Sequence, residues 1–453
     1  MECPMSVNRR SLISASPGLG AAAATVHAAN ANPAGMIISG DLTGLLPNGP
    51  HDQTAILQLA IDAAAGKGVP VVLPSGTIRV SDLRLRSGTR LIGAEGTTIL
   101  QFVGGEAFIT ADKADGLVID SIMLDGTFQA FADARGEALL NITNSRNITI
   151  NGVEIRNSAK GGLSLTTSSG RITGSKICDV LDFALKSLDA KGLDVSGNVV
   201  TNCSNNGILI WRTESGEDGS TITNNRISKI RNSAGGSGQY GNGINVYRAG
   251  SVIVAQNRIS DCAYTAVRGN AASNIQIIAN SCERLGEVAI YSEFGFEGAI
   301  IANNIIDSAA TGISVTNFNE GGRLAVIQGN LIRNLFRRED EPEDKRGEGI
   351  GVEADAVVSG NTIEGAPTVG IQIGWGPFMR DVAVTGNVVR RSKVGITITD
   401  ARDAGACLIA NNMISKTEGG AIRRMTLGVT SGPDLARETS GDSRIMVTGN
   451  VAV

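Results

Sequence analysis

The sequence predicts an all-β chain wound as a single-stranded right-handed parallel β-helix behind an N-terminal helical cap, and three observations carry that prediction. The first is a recurring phrase of a glycine or other residue, an asparagine and then apolar residues. It appears at Gly197-Asn198-Val199-Val200, Asn224-Asn225-Arg226-Ile227, Gln256-Asn257-Arg258-Ile259, Asn303-Asn304-Ile305-Ile306, Gly329-Asn330-Leu331-Ile332, Gly360-Asn361-Thr362-Ile363, Gly386-Asn387-Val388-Val389, Asn411-Asn412-Met413-Ile414 and Gly449-Asn450-Val451. The returns come every roughly 22 to 32 residues, the length of one coil of a solenoid whose neighbours stack to bury a shared core. The second is a small-apolar-x-apolar phrase about ten residues later, as in Gly243-Ile244-Asn245-Val246, Gly312-Ile313-Ser314-Val315 and Gly370-Ile371-Gln372-Ile373, which alternates as a strand does. The third is composition: 58 glycines, 4% aromatic residues and a net charge of -4 suit a turn-rich β protein.

From the N-terminus, Asn8-Arg9-Arg10-Ser11-Leu12-Ile13 leads an alanine-rich stretch with small-residue cleavage possibilities around Ala28 to Ala31. This resembles a twin-arginine export signal, which would make residues 1–31 a signal peptide and the mature chain periplasmic or secreted. Residues 32–100 read as an N-terminal cap and first coils. The run from Asp52 to Ala65 has helical periodicity and would cover apolar edges that an open solenoid end exposes. Residues 101–453 read as β-helix repeats, about a dozen coils in all, with a long loop near 426–443 where the rhythm lapses. Right-handedness follows the rule for parallel crossovers. The asparagines are read as bend residues that tolerate left-handed backbone and stack their amides along the axis.

Charge and composition exclude some classes. No basic face invites nucleic acid, and no apolar run in the mature chain is long enough to span a membrane. Cys178, Cys203, Cys262, Cys282 and Cys407 fall on apolar repeat positions rather than in metal-like pairs, so buried free thiols are expected. Histidine occurs only at His27 and His51, which argues against a histidine-based triad or a multi-histidine metal site. A calcium requirement stays open: Glu214, Glu217 and Asp218 are acidic but lack a dedicated ligand spacing.

The phrases Gln239-Tyr240-Gly241-Asn242-Gly243-Ile244-Asn245-Val246, Tyr291-Ser292-Glu293-Phe294, Asn317-Phe318-Asn319-Glu320-Gly321-Gly322-Arg323 and Gly374-Trp375-Gly376, together with the signal, resemble a family of twin-arginine-translocated repeat proteins within the pectin-lyase-like β-helix superfamily. The resemblance implies the fold and carries over no catalytic residue. The Gly-His-Gly and Asp-Asp pattern of pectin-degrading hydrolases and the Asp-Pro-His of alginate epimerases are both missing.

Stacking lets the outer face be reconstructed in columns about 4.8 Å apart. One column reads Lys186, Leu209, Asn245, Arg268, Tyr291, Ser314, Gly351, Gln372, Thr397, and the next reads Trp211, Tyr247, Asn270, Glu293, Thr316, Glu353, Gly374, Thr399. Arg268, Tyr291, Glu293 and Glu353 are the candidate catalytic residues, and Trp211, Asn245, Tyr247, Asn270 and Trp375 the candidate substrate-binding ones. Longer bends at 212–220, 231–242, 317–323 and 336–349 would wall this face.

Two mechanisms fit the columns. Glu293 and Glu353 two coils apart would be separated by roughly 9 to 10 Å, near the upper end of the inverting-glycosidase range, one serving as acid and the other as base. For β-elimination, Arg268 would neutralise a uronate carboxylate while Tyr291 or Tyr247 relays the C5 proton. The expected partner is a polysaccharide or other glycan, with the twin-arginine translocation machinery during export. The reading is a polysaccharide lyase or glycoside hydrolase; the other class is a non-catalytic carbohydrate-binding or cell-envelope scaffold.

Overall fold

The computed structural model describes residues 40–132, 136–236, 238–339, 346–438 and 440–453. Arg9 and Arg10 of the signal-like segment, with Cys3, His27 and the expected cleavage region, lie outside the described residues. The chain from Val71 onward winds as a right-handed parallel β-solenoid of about 14 turns, somewhat more than the dozen expected from the asparagine phrase. One flank is a 15-stranded parallel sheet, and the strands of the other flanks join through the bends into a second, 28-stranded one.

The core follows from period-2 alternation with β-branched residues at the inward positions. Ile150, Ile172, Val195, Ile222, Val254, Ile277 and Ile301 stack in register down the 15-stranded sheet, each almost fully buried. The helix Thr54–Ala65 seals the first coil through Leu57, Ala60, Ile61 and Ala64. Gln58 on that helix satisfies an otherwise open strand edge, its amide accepting from the Arg84 N–H at 2.8 Å and donating to the Arg84 carbonyl at 2.9 Å.

The asparagines form a continuous ladder. From Asn198 through Asn225, Asn257, Asn280, Asn304, Asn330, Asn361, Asn387 and Asn412 to Asn450, each Nδ2 donates to the next Oδ1 at 2.9–3.0 Å. Two expectations are corrected here. Asn280 belongs to the ladder although Ser281-Cys282 follow it, so the repeat does not require an apolar residue directly after the asparagine. The left-handed residue is the one before the ladder asparagine, as at Asn224, Gln256, Ala279, Asn303 and Asn411, whereas the ladder residue itself supplies the bonds.

The 426–443 stretch is also corrected. It contains the strand Val429–Asp434, which pairs antiparallel with Ile422–Thr426, the one antiparallel pairing among the described strands. The turn residues Leu427 and Gly428 both have positive φ, 46° and 89°, the two-residue geometry that matches strand twist.

Cys178, Cys203, Cys262, Cys282 and Cys407 are free and buried. Burial pushes the Cys178, Cys282 and Cys407 thiols up to about 12 and raises Cys203 and Cys262 as well. Thiolate is the reactive form. These five are therefore expected to stay unlabelled by a thiol reagent at neutral pH and to react together in denaturant; labelling of any one in the native protein, read by mass spectrometry, would contradict the packing.

Candidate functional site

The outer columns form as the spacing predicts. Backbone register links Lys186, Leu209, Asn245, Arg268, Tyr291, Ser314, Gly351, Gln372 and Thr397 coil by coil. In the neighbouring column Trp211, Tyr247, Asn270 and Glu293 are in register. The pairs Ser292–Val315 and Val315–Val352 then put Glu353 two coils beyond Glu293, about 10 Å along the stack.

Arg268, Asn270, Tyr291 and Glu293 meet in one cluster. The Arg268 Nε donates to Glu293 Oε1 at 2.5 Å, Asn270 Nδ2 donates to the same oxygen at 3.2 Å, and the guanidinium lies over the Tyr291 ring, 5.5 Å from its centre. Arg268 also donates to the Gly238 carbonyl at 2.5 Å, so the 231–242 bend closes over it. Glu293 is only 4% exposed. Burial lifts its carboxyl above the ordinary value, and the adjacent Arg268 pulls it partly back. Burial, then the nearby Glu293, raises the Tyr291 hydroxyl too.

Glu353 stands apart from this cluster. Its Oε2 accepts the Phe318 N–H at 2.6 Å, at the start of the short 3₁₀ turn Phe318–Glu320. Burial raises its carboxyl above the ordinary value, opposed by the N–H groups of Phe318 and Asn317. Trp211 meets Tyr247 edge-on at 6.2 Å, and its Nε1 donates to Asn245 Oδ1 at 3.3 Å. Asn245 is buried, so it orients Trp211. Trp375 lies off the strands, in a turn where its backbone bridges Phe378.

Described residues of three of the long bends make contacts beside this face. Tyr264 donates to the Gly236 carbonyl at 2.9 Å and carries the Arg338 guanidinium over its ring at 5.7 Å. Arg380 lies over the Phe318 ring of the 317–323 bend at 4.6 Å. The 212–220 bend departs from expectation in part, because the strand Asn206–Glu217 runs into it through a register shift.

Sequence reasoning missed two acidic residues on this face. Glu287 is 7% exposed and pairs with Arg346 at 3.2 Å, while its Oε2 has no hydrogen-bond partner among the described residues. Glu348, 8% exposed, reaches Gly351: a Cβ built there would lie 3.6 Å from Glu348 Oε2. Glu348 immediately precedes the glycine of its small-apolar-x-apolar phrase, and Asn206, Asn242 and Thr311 precede theirs, so that position marks a further column.

The family described as right handed beta helix region matches residues 214–387, and the family described as periplasmic copper-binding protein (NosD) matches residues 86–291. Copper takes thiolate, thioether or imidazole donors. In the second span there is no histidine, the one methionine, Met123, and the cysteines are buried, and among the described residues no group of three or more His, Cys, Asp and Glu side chains is placed to hold a metal. The side chains present do not fit a copper ion.

No curated protein matches the chain in sequence. Among solved structures, the N-terminal fragment of bacteriophage Phi29 gene product 12 is similar with a TM-score of 0.52 at 15% identity, over 87% of this chain and 68% of that one. The catalytic unit of a GH87 α-1,3-glucanase from Streptomyces thermodiastaticus is similar with a TM-score of 0.50 at 19% identity, over 93% of this chain and 69% of that one. No helix among the described residues is long and apolar enough to cross a membrane. The parallel coil makes this chain a right-handed parallel β-helix protein, and both family matches support the pectin-lyase-like β-helix superfamily.

Proposed function

We propose that the chain is an exported glycoside hydrolase that cleaves a polysaccharide laid along its outer columns, with inversion at the reacting sugar. The observation that carries this reading is the pair Glu293 and Glu353, in one column two coils apart, both raised by burial. Two coil steps along the stack come to about the upper limit of the carboxyl separation in inverting enzymes, where a water sits between acid and base. Arg268 and Asn270 favour the ionised form of Glu293, which suits it to be the base; Glu353 has no such cation, and burial shifts it toward its protonated form, which suits it to be the acid. Glu293 takes a proton from water as the water oxygen bonds to the anomeric carbon. The glycosidic C–O bond breaks, its electron pair stays on the leaving oxygen, and Glu353 supplies that oxygen with a proton.

The same geometry counts against β-elimination. Arg268 is already paired with Glu293, and the raised Tyr291 hydroxyl is a poor base. Likeness to a glucanase catalytic unit agrees with polysaccharide as the substrate class. Export through the twin-arginine machinery to the periplasm or beyond rests on Arg9-Arg10 and its flanks, and the matched periplasmic family agrees with it. On the same grounds the chain is assigned to the twin-arginine-translocated repeat proteins.

The test is incubation of the mature protein with acidic and neutral polysaccharides, following reducing ends and the ultraviolet absorbance of unsaturated products. Reducing ends without that absorbance are expected. Unsaturated product would overturn hydrolysis in favour of lysis. Binding without any product would favour the scaffold reading, for which the supported Trp211–Tyr247 pair is the observation in favour.

A further inference from the structure

Beyond Gly351 the outer column runs under a roof. The hairpin of Ile422–Thr426 and Val429–Asp434 is tied down at several points. Thr426 Oγ1 and Ser431 Oγ donate to Asp400 Oδ2 at 2.6 and 3.2 Å, and the Asp434 carboxylate accepts the N–H groups of Ala421 and Ile422 at 2.8 and 3.0 Å. Arg423 spans the hairpin, donating to the Gly419 and Gly432 carbonyls, each at 2.8 Å.

Between this roof and the strands Val369–Ile373 and Val394–Thr399 lies a cavity of about 310 Å³, at the small end of the roughly 300–1,000 Å³ typical of ligand pockets. Val369, Val394, Met425 and Val429 give it apolar walls, and Gln372 and Thr397 give it polar groups. Thr397 is 4% exposed, and its Oγ1 has no hydrogen-bond partner among the described residues. A buried hydroxyl left unpaired is costly, and a turn of the Thr397 side chain about χ1 would offer Oγ1, shielded in this rotamer, to a polar ligand atom in the cavity.

The cavity is continuous in register with the middle patch. Gln372 and Thr397 extend the column of Tyr291, Ser314 and Gly351, and from Tyr291 to Thr397 is four coil steps, about 19 Å. Gly351 itself puts no side chain in that path, which the Glu348 carboxylate borders. The hairpin then closes it.

We infer that this cavity is a chain-end subsite, seating the terminal sugar ring of the polysaccharide whose interior lies over Glu293 and Glu353. The apolar ring face packs on Val369, Val394 and Met425, ring hydroxyls pair with Gln372 and Thr397, and the hairpin stops the chain from running on. This rests on the polysaccharide reading above and adds an end that the middle coils lack.

The chain's two tryptophans separate the sites. Trp211 stands at the middle patch, and Trp375 lies beside the hairpin tip, where a Cβ on its neighbour Gly376 would lie 3.5 Å from Leu427 Cδ2. Trp211→Phe leaves Trp375 as the reporter, and Trp375→Phe leaves Trp211. Each is titrated with glucose, galacturonate and their hexasaccharides while emission is followed.

One of the monosaccharides is expected to shift Trp375 and not Trp211, and its hexasaccharide, bound over the middle patch as well as at the cavity, to shift both. In the Trp211→Phe background, Thr397→Val and Gln372→Ala are each expected to weaken monosaccharide binding about tenfold, with unchanged melting. Gln372 is only half-buried, so its variant serves if Thr397→Val misfolds. A hexasaccharide that shifts Trp211 while no sugar shifts Trp375 overturns the chain-end subsite and leaves the polysaccharide reading standing. Folded protein in which no sugar shifts either tryptophan overturns both.

Discussion

Glu353→Gln is expected to lower turnover on natural polysaccharide about 10³-fold, because the leaving oxygen then departs without a proton. On an aryl glycoside whose leaving group needs no protonation, the same variant is expected to stay within a few fold of the parent. Glu293→Gln should fail on both substrates, since water activation is lost whatever the leaving group, and added azide should restore rate only there. The pH dependence gives an independent sign. Glu353 must be protonated to act, and burial holds its proton above the ordinary glutamate value of 4.5. Activity therefore falls as pH rises through the raised value, and that alkaline limb disappears in Glu353→Gln. Equal losses on both substrates, with the limb unchanged, would remove Glu353 from the acid role.

The second large effect is on stability. Asn304, 1% exposed, donates through Nδ2 to the Ile277 carbonyl at 2.9 Å and to Asn330 Oδ1 at 3.0 Å. Its Oδ1 accepts the Asn280 N–H at 2.9 Å and Nδ2 at 3.0 Å. Asn304→Ala strands several of these groups in a dry interior, at about 1–3 kcal/mol for each one left unpaired. Partial relaxation brings the expected loss to about 4 kcal/mol, read as a lower denaturant midpoint. The adjacent Asn303 is exposed with φ of 57°, so Asn303→Gly should be neutral or slightly stabilising. Similar losses at both positions would contradict the division of labour between bend and ladder.

The columns were legible because strand side chains alternate with a period of two, so outward positions follow once the inward Ile and Val are placed. That logic put Arg268, Tyr291 and Glu293 on one patch and Glu353 two coils on. It did not reveal that Arg268 is tied to Glu293, because a diagonal contact between columns depends on side-chain direction and on the 231–242 bend above it. Glu287 escaped notice because its partner Arg346 is 59 residues away, brought close only by an inserted bend. The closing hairpin was missed because Leu427-Gly428 lacks the Asn-Gly or Asp-Gly signal of a two-residue turn.

What the sequence by itself determined is the repeating part: an all-β parallel coil, its core residues, its asparagine bends and the order of residues down each outer column. These are local regularities, repeated coil after coil, and each coil reads them from its own residues and nearest neighbours. What only the tertiary structure decided is which outward residues are withdrawn from water, which charges neutralise one another and where the groove ends. Those depend on irregular bends and on the hairpin folding back over the column. Burial under these segments gives Glu293 and Glu353 their raised carboxyls and leaves the Thr397 hydroxyl unpaired.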